Sequence, residues 1–407
     1  MTTTERIKSN VRYYSRKFPA VFSKAKGCYL YAGDKRYLDF FAGAGAVNYG
    51  HNNDFIKQKI IEYVQNDGII QSLDMDTVVT NNFLEAFSST ILEPRKLDYK
   101  VMFPGPTGTN AVEAALKLAK KVTGRAGIVA FSGSFHGMTA GSMAVSYSRH
   151  KQLRGASFDV KFAPYPFGED VDTIPSIKNI FTDDHPAAVI LETVQAEGGV
   201  IVPPEKWLRD LAALCKEYGV LLICDDVQVG CGRTGTFFSF ERAGVIPDIV
   251  ALSKSVGGYG LPVSLLLFKS EYDVWTPGEH NGTFRANQLS LVGATAALSY
   301  YKDDELLNNV RVGNKIIDDF FDKQLLPIDE RIVHRGVGLI HGFDFSAVCE
   351  GVAERIREDC FSRGLIIETC GKGSSVLKLL PPLVITKEEL ENGLFIIRDA
   401  TKKALGR

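Results

Sequence analysis

The 407-residue sequence predicts an α/β fold, with a large domain built on a mainly parallel sheet and a smaller α+β domain after it. Three observations carry that reading. Five short apolar runs, residues 99–103, 127–131, 187–191, 219–224 and 248–252, have the composition of strands buried on both faces. Segments of helical periodicity alternate with them, as crossover connections require. Each run also ends in polar residues able to do chemistry, which lines those residues along the sheet edge where ligands bind.

The elements follow in order. Residues 1 to about 27 are mixed and polar, and CYLYAGDKRYLDFF then reads as two strands around a Gly33-Asp34 turn, packing against something distant. FAGAGAVNYGHNN, residues 41–53, is a glycine-rich loop that either brings backbone close to a ligand or simply turns, and a helix follows over about 54–66. YKVMF leads through PGPTGTN into AVEAALKLAKKV, where Val112, Ala115, Leu116 and Ala119 recur at helical spacing and Lys120 and Lys121 suit the negative end of the dipole. Gly108, Thr109 and Asn110 therefore stand at a helix amino terminus, whose free N–H groups make a phosphate site. Ordinary N-capping by Thr109 or Asn110 is the plainer alternative.

GIVAF delivers SGSFHGMT, in which Phe135 can stack on a flat ring and His136 is either a hydrogen-bond donor to that ring or a turn residue. Residues 141–175 show little periodicity. AAVIL ends in two carboxylates, Glu192 and Glu197, and a helix from Pro204 to Tyr218, with Gly219 after its end, returns to the next strand. One more strand is expected over 261–268. From about 289 the texture changes to a charged helix, a strand pair in RIVHRGVGLIHGFDF, a helix, two short strands and a terminal helix from about Lys387. The expected division is an N-terminal segment, 1–50, packed with the small domain, a large ligand-binding domain, 51–288, and the small domain, 289–407.

Composition narrows the partners. Lys plus Arg number 47 against 48 Asp plus Glu, so no electrostatic case exists for nucleic acid or an anionic membrane, and small molecules are expected. Seven scattered cysteines without a CxxC pair point to reduced thiols and to no metal centre, with Cys224 and Cys231 as small core residues. No apolar run approaches a bilayer span, and the first residues lack an apolar signal core, so the expected location is cytoplasmic.

Asp225 and Lys254 are the two side chains on which the functional reading turns. Each alone has an ordinary reading, the lysine as a solvated charge and Asp225-Asp226 as the start of a turn. Together at one strand edge they fit pyridoxal phosphate. Its aldehyde forms a Schiff base with a lysine, and its ring nitrogen must stay protonated, a state that a buried carboxylate beside it favours.

With these residues placed, the sequence resembles the class III pyridoxal-phosphate aminotransferases of the aspartate-aminotransferase fold (fold type I) over nearly its whole length. The resemblance rests on FFAGAGAVNYGHNN, FPGPTGTNAVEAALKLAKK, SGSFHGMT, DDVQVGCGRTGTFFSFERAGVIPDIVALSKSVGGYGLP and PGEHNGTFRAN. It is nearest to the diaminobutyrate–2-oxoglutarate branch. The resemblance implies a cofactor, pyridoxal 5′-phosphate, attached to Lys254, with Asp225 at the ring nitrogen, Gln228 at the phenolic oxygen, Phe135 stacked on the ring, His136 beside it, and the phosphate on the backbone of Gly108 and Thr109. Thr283, in HNGTF, would reach a phosphate in the neighbouring subunit, which implies a homodimer or dimer-based oligomer. Glu197 matches a glutamate that in relatives handling terminal amines screens an active-site arginine. Here that arginine is replaced by Lys378, a point charge without the planar fork that grips a carboxylate, and its alternative reading is a surface strand lysine. Asp226 stands where glutamate is usual. The implied reaction moves an amino group between glutamate/2-oxoglutarate and L-aspartate 4-semialdehyde/L-2,4-diaminobutyrate. The alternatives are another ω-amine donor (ornithine, acetylornithine or 4-aminobutyrate), a racemase or aminomutase on the same fold, and a pure binding protein, which the joint presence of Lys254, Asp225 and Gln228 disfavours.

Overall fold

The computed structural model describes residues 6–9, 11, 17–152, 158–168 and 171–407. Its central sheet has seven strands: β4 (Tyr99–Met102), β5 (Ile128–Phe131), β6 (Val160–Ala163), β7 (Ala188–Leu191), β8 (Leu221–Asp225), β9 (Ile249–Leu252) and β10 (Leu265–Lys269), in the spatial order β4-β10-β9-β8-β7-β5-β6. The pairs from β9 to β6 are parallel, and β10 runs against both of its neighbours. The reason is local. Between β9 and β10 the chain forms only a short 3₁₀ turn, Lys254–Gly257, and a parallel return needs a long crossover. The sequence showed a strand there but not its direction.

Alternation along each strand explains the two covered faces. Ile128, Ala130, Ile190, Ile223 and Ile249 pack on the buried stripe of the helix Gly108–Thr123, whose residues Ala111, Ala115 and Leu118 are fully enclosed. The intervening residues Val129, Phe131, Val189, Leu191 and Leu222 face the helix Glu205–Tyr218, through Trp207, Leu208 and Leu211. That helix ends at Gly219 in the left-handed conformation, φ 61°, as the sequence indicated. β6 lies in the stretch 141–175 that carried no legible signal. It is an edge strand with an exposed Lys161 in VKFA, so it lacks the apolar run that marks the central strands.

Two four-stranded sheets complete the fold. One joins β1 (Lys24–Lys26), β2 (Tyr29–Ala32) and β3 (Lys35–Asp39) to β13 (Leu365–Ile366), and the other has the order β11-β12-β15-β14, from Val333–Val337, Ile340–Asp344, Val376–Leu379 and Glu368–Cys370. The hairpin at Gly33-Asp34 forms as read, and its distant partner is β13, parallel to β3 through Leu365 and Leu38. One core of Leu38, Phe40, Phe320, Phe343, Leu377 and Ile397 ties residues from both ends of the sequence together. Where the sequence suggested two short strands after residue 363, the chain makes three, because it breaks at Ile367 and its halves enter different sheets. Of the opening segment, residues 1–5, 10 and 12–16 lie outside the described residues. No helix among the described residues is long and apolar enough to cross a membrane.

Candidate active site

A cavity of about 510 Å³ opens at the carboxyl ends of the parallel strands. Its wall includes Gly108, Thr109, Phe135, His136, Glu192, Glu197, Asp225, Gln228 and Lys254, residues separated by more than a hundred positions in sequence. Asp225 is the last residue of β8, and Lys254 lies two residues beyond β9. Lys254 has φ +53°, a left-handed conformation that costs a non-glycine residue roughly 1–3 kcal/mol and that structures retain mainly at functional positions.

Burial pushes the Lys254 ammonium down to about 8, against the pull of the Glu197 charge, and the nearby Lys378 adds to the lowering. The neutral, nucleophilic amine is therefore reached near pH 8, far more readily than for an exposed lysine. Asp225 is held from two sides: one carboxylate oxygen accepts from the backbone N–H of Val227 at 3.1 Å, and the other lies 2.7 Å from His136 Nδ1. Burial opposes charge on His136, but the Asp225 hydrogen bond and charge together with the Glu192 charge outweigh it and hold the imidazole pKa above its ordinary value. This pairing was not legible in sequence, where His136 read as a donor to a ligand or a turn residue. Its Nε2 is buried and finds no hydrogen-bond partner among the described residues.

The helix amino terminus is built for close approach. Its N-cap is Thr107, not Thr109 or Asn110; Asn110 reaches back so that its Oδ1 accepts from Thr107 N–H at 3.2 Å and from the Thr107 hydroxyl at 2.7 Å. Capping from outside the first turn leaves Gly108 and Thr109 on the cavity wall with N–H groups that a helix cannot satisfy itself. A Cβ on Gly108 would come within 2.7 Å of Val227 Cγ1, so glycine alone fits there without displacement. Thr109 Oγ1 is 2.6 Å from Ser142 Oγ and 2.7 Å from Thr139 Oγ1, which ties this turn to the segment after Phe135. Phe135 is half-buried on the wall, and its backbone N–H donates to Glu192 at 2.9 Å. Burial raises the Glu192 carboxyl to about 7, against the His136 charge.

The glycine-rich loop has a definite task. Ala42, Gly43, Ala44 and Gly45 all have positive φ, and the path turns their carbonyls inward: Gly45 O accepts from Ser255 Oγ at 2.7 Å, and Ala44 O accepts from Gln228 Nε2 at 3.1 Å. Gln228 is thus oriented beside Glu197, whose Oε1 lies 3.4 Å from its Nε2. Behind this wall Lys378 is fully buried, its Nζ 2.5 Å from Glu197, 2.9 Å from Glu368 and 3.4 Å from Gln228 Oε1. Burial alone would lower its pKa, but the two carboxylates outweigh that and hold the ammonium charged. Glu368 had no signal in the sequence, because only the antiparallel pairing of β14 with β15 sets it opposite Lys378. Asp226 points away from the cavity and accepts from Ser239 N–H at 2.9 Å. Thr283 is exposed and outside this wall, its carbonyl accepting from Gln71 Nε2. Elsewhere, His334, His341 and Asp318 cluster within 4.8 Å, but the two imidazoles are hydrogen-bonded to each other at 2.8 Å.

Residues 11–401 match the class III aminotransferase family. This chain belongs to that family. The aminotransferase is 49% identical over 414 residues to a diaminobutyrate--2-oxoglutarate transaminase of Halalkalibacterium halodurans, spanning 99% of this chain and 96% of that protein. It is 47% identical over 418 residues to a protein of the same name from Wolinella succinogenes, spanning 100% and 97%. Its fold is that of the ornithine aminotransferase from Toxoplasma gondii, at TM-score 0.87 and 24% identity over 99% of this chain and 94% of that one. The fold is therefore the aspartate-aminotransferase-like α/β fold, and the cofactor of the aminotransferase is pyridoxal 5′-phosphate. The cavity fits such a group: a first helical turn with free N–H groups and no room for a side chain at Gly108, a buried carboxylate, a buried lysine whose pKa burial lowers to about 8, and an unpartnered buried His136 Nε2.

Proposed function

We propose that the aminotransferase moves an amino group from L-glutamate to the terminal aldehyde of L-aspartate 4-semialdehyde, giving 2-oxoglutarate and L-2,4-diaminobutyrate, reversibly and in two half-reactions. The observation that carries the chemistry is the convergence of the Lys254 amine, the Asp225 carboxylate and the helix amino terminus on one cavity. The substrate pair is supported by full-length relatives at 49% and 47% identity that bear this activity in their names.

When bound, pyridoxal phosphate supplies the aldehyde that receives the amino group and a ring that draws electrons from the reacting carbon. In this proposal Lys254 is the covalent anchor and, once released, the base that moves a proton at the reacting carbon. Asp225, oriented by His136, keeps the ring nitrogen protonated. Gln228 would meet the phenolic oxygen, Phe135 would stack on the ring, and the N–H groups of Gly108 and Thr109 would hold the phosphate. Glu197 on the wall shields the Lys378 cation behind it, which becomes available to the glutamate α-carboxylate when Glu197 gives way. The diamino acid brings no carboxylate to that wall when its terminal carbon reacts.

The test is a donor panel with products identified by mass spectrometry. L-2,4-diaminobutyrate with 2-oxoglutarate should yield aspartate 4-semialdehyde, and ornithine and 4-aminobutyrate should be poorer donors. The extra methylene of ornithine changes the span between amine and carboxylate, a difference typically worth ~1–3 kcal/mol in a fitted pocket. A kcat/KM for either of them that equals or beats diaminobutyrate would assign the enzyme to a different ω-amine substrate, and racemisation of the donor without formation of glutamate would assign another reaction.

We also place the working enzyme in the cytoplasm as a homodimer with shared sites. Thr283 motivates this, being exposed and away from the cavity of its own chain although it lies in the HNGTF motif. Mixed dimers of Lys254→Ala and Thr283→Val chains, each inactive alone, should regain activity, because one of the two sites would then hold both native residues. No recovery on mixing would remove Thr283 from a shared site.

A further inference from the structure

Lys378 has two carboxylate partners of different kinds. Glu368 and Lys378 sit directly opposite each other on adjacent antiparallel strands, so the sheet register sets their ion pair at 2.9 Å. Glu197 lies on the irregular segment after β7, on the cavity wall, and reaches the same ammonium at 2.5 Å. Lys378 thus faces two carboxylates; burial raises the Glu368 carboxyl against the pull of the ammonium, while at Glu197 burial is outweighed by Lys378, which holds that carboxyl low. The partner on the loop can give way with its segment, whereas the backbone of the partner on the ladder is held opposite Lys378 by the strand pair. Lys378 is therefore still compensated after Glu197 moves, and an incoming carboxylate meets a neutral pair instead of a bare cation.

We propose that Glu368 is a specificity-determining residue, a permanent counter-ion that weakens the hold of Lys378 on substrate carboxylates and so sets the balance between glutamate and the terminal-amine donor. This rests on the reading of Glu197 and Lys378 given above. Glu368 acts through Lys378 and is a positioning residue.

The experiment uses the holoenzyme and glutarate, a dicarboxylate with no amine to transfer, so that binding is read by calorimetry apart from turnover. Glu368→Gln keeps the shape and removes the charge. It should tighten the glutarate Kd by about threefold to tenfold, the scale of one charge–charge interaction in a partly screened site. It should also lower the glutamate KM while moving diaminobutyrate far less. Glu368→Asp, which keeps the charge, should bind glutarate as the wild type does, and adding Lys378→Met to Glu368→Gln should abolish the gain. An unchanged or weaker glutarate Kd in Glu368→Gln overturns the proposal, as does a parallel loss for both donors, which marks a purely structural role. Failure of the wild type to accept glutamate at all would instead defeat the proposed function.

Discussion

Lys254→Ala should abolish turnover, with a loss of at least roughly 10²–10⁴-fold from the missing acid–base step alone. The loss exceeds that range to the extent that covalent anchoring contributes as well. Two arms make the expectation specific. After borohydride reduction of the wild type, mass spectrometry should find the cofactor mass on the peptide containing Lys254, and its presence on another peptide would defeat the assignment. The second arm uses pH. Burial lowers the Lys254 amine to about 8, so the neutral nucleophile becomes more abundant as pH rises through that value and is lost as pH falls below it. Reattachment of the cofactor to the apoenzyme should therefore speed up from pH 7 to 9 and then level off. A rate flat across that window would mean that a different ionisation controls attachment.

Asp225→Asn should retain the cofactor but lose most of its turnover. The amide keeps the shape and removes the negative charge that favours a protonated ring nitrogen, which weakens electron withdrawal from the reacting carbon. The surroundings sharpen the expectation. His136 Nδ1 lies 2.7 Å from Asp225, with the histidine side chain fully buried, so neutralising the acid also removes what holds a proton on His136. If the lost electron withdrawal costs about 3 kcal/mol at the transition state, kcat should fall by about two orders of magnitude. Near-normal kcat in Asp225→Asn with unchanged cofactor affinity would remove the carboxylate from the reaction.

The strand ends were legible because composition reports burial directly. Runs such as LLICD and IVAL have no reason to be uniformly apolar unless both faces are covered, and they are fully buried in the sheet. β6 escaped notice for the converse reason, since an edge strand keeps one side in water and VKFA carries a lysine there. The helix amino terminus at Gly108, Thr109 and Asn110 was legible, but the cap itself, Thr107, was not, because Thr107, Thr109 and Asn110 are all competent caps and only the path of the chain selects among them.

Local pattern alone determined that this protein has a mainly parallel buried sheet, that Asp225 and Lys254 stand at strand carboxyl ends, and that a helix begins near Gly108, since each follows from propensity and periodicity over a few residues. The tertiary structure decided what each of those residues touches. His136 turns to Asp225, the loop at Gly45 reaches Ser255 and Gln228, and Glu368 faces Lys378. Such pairings depend on the register of strands and the path of loops far apart in sequence. A one-residue slip in a ladder would send every side chain to the other face without altering the local pattern that formed the strand.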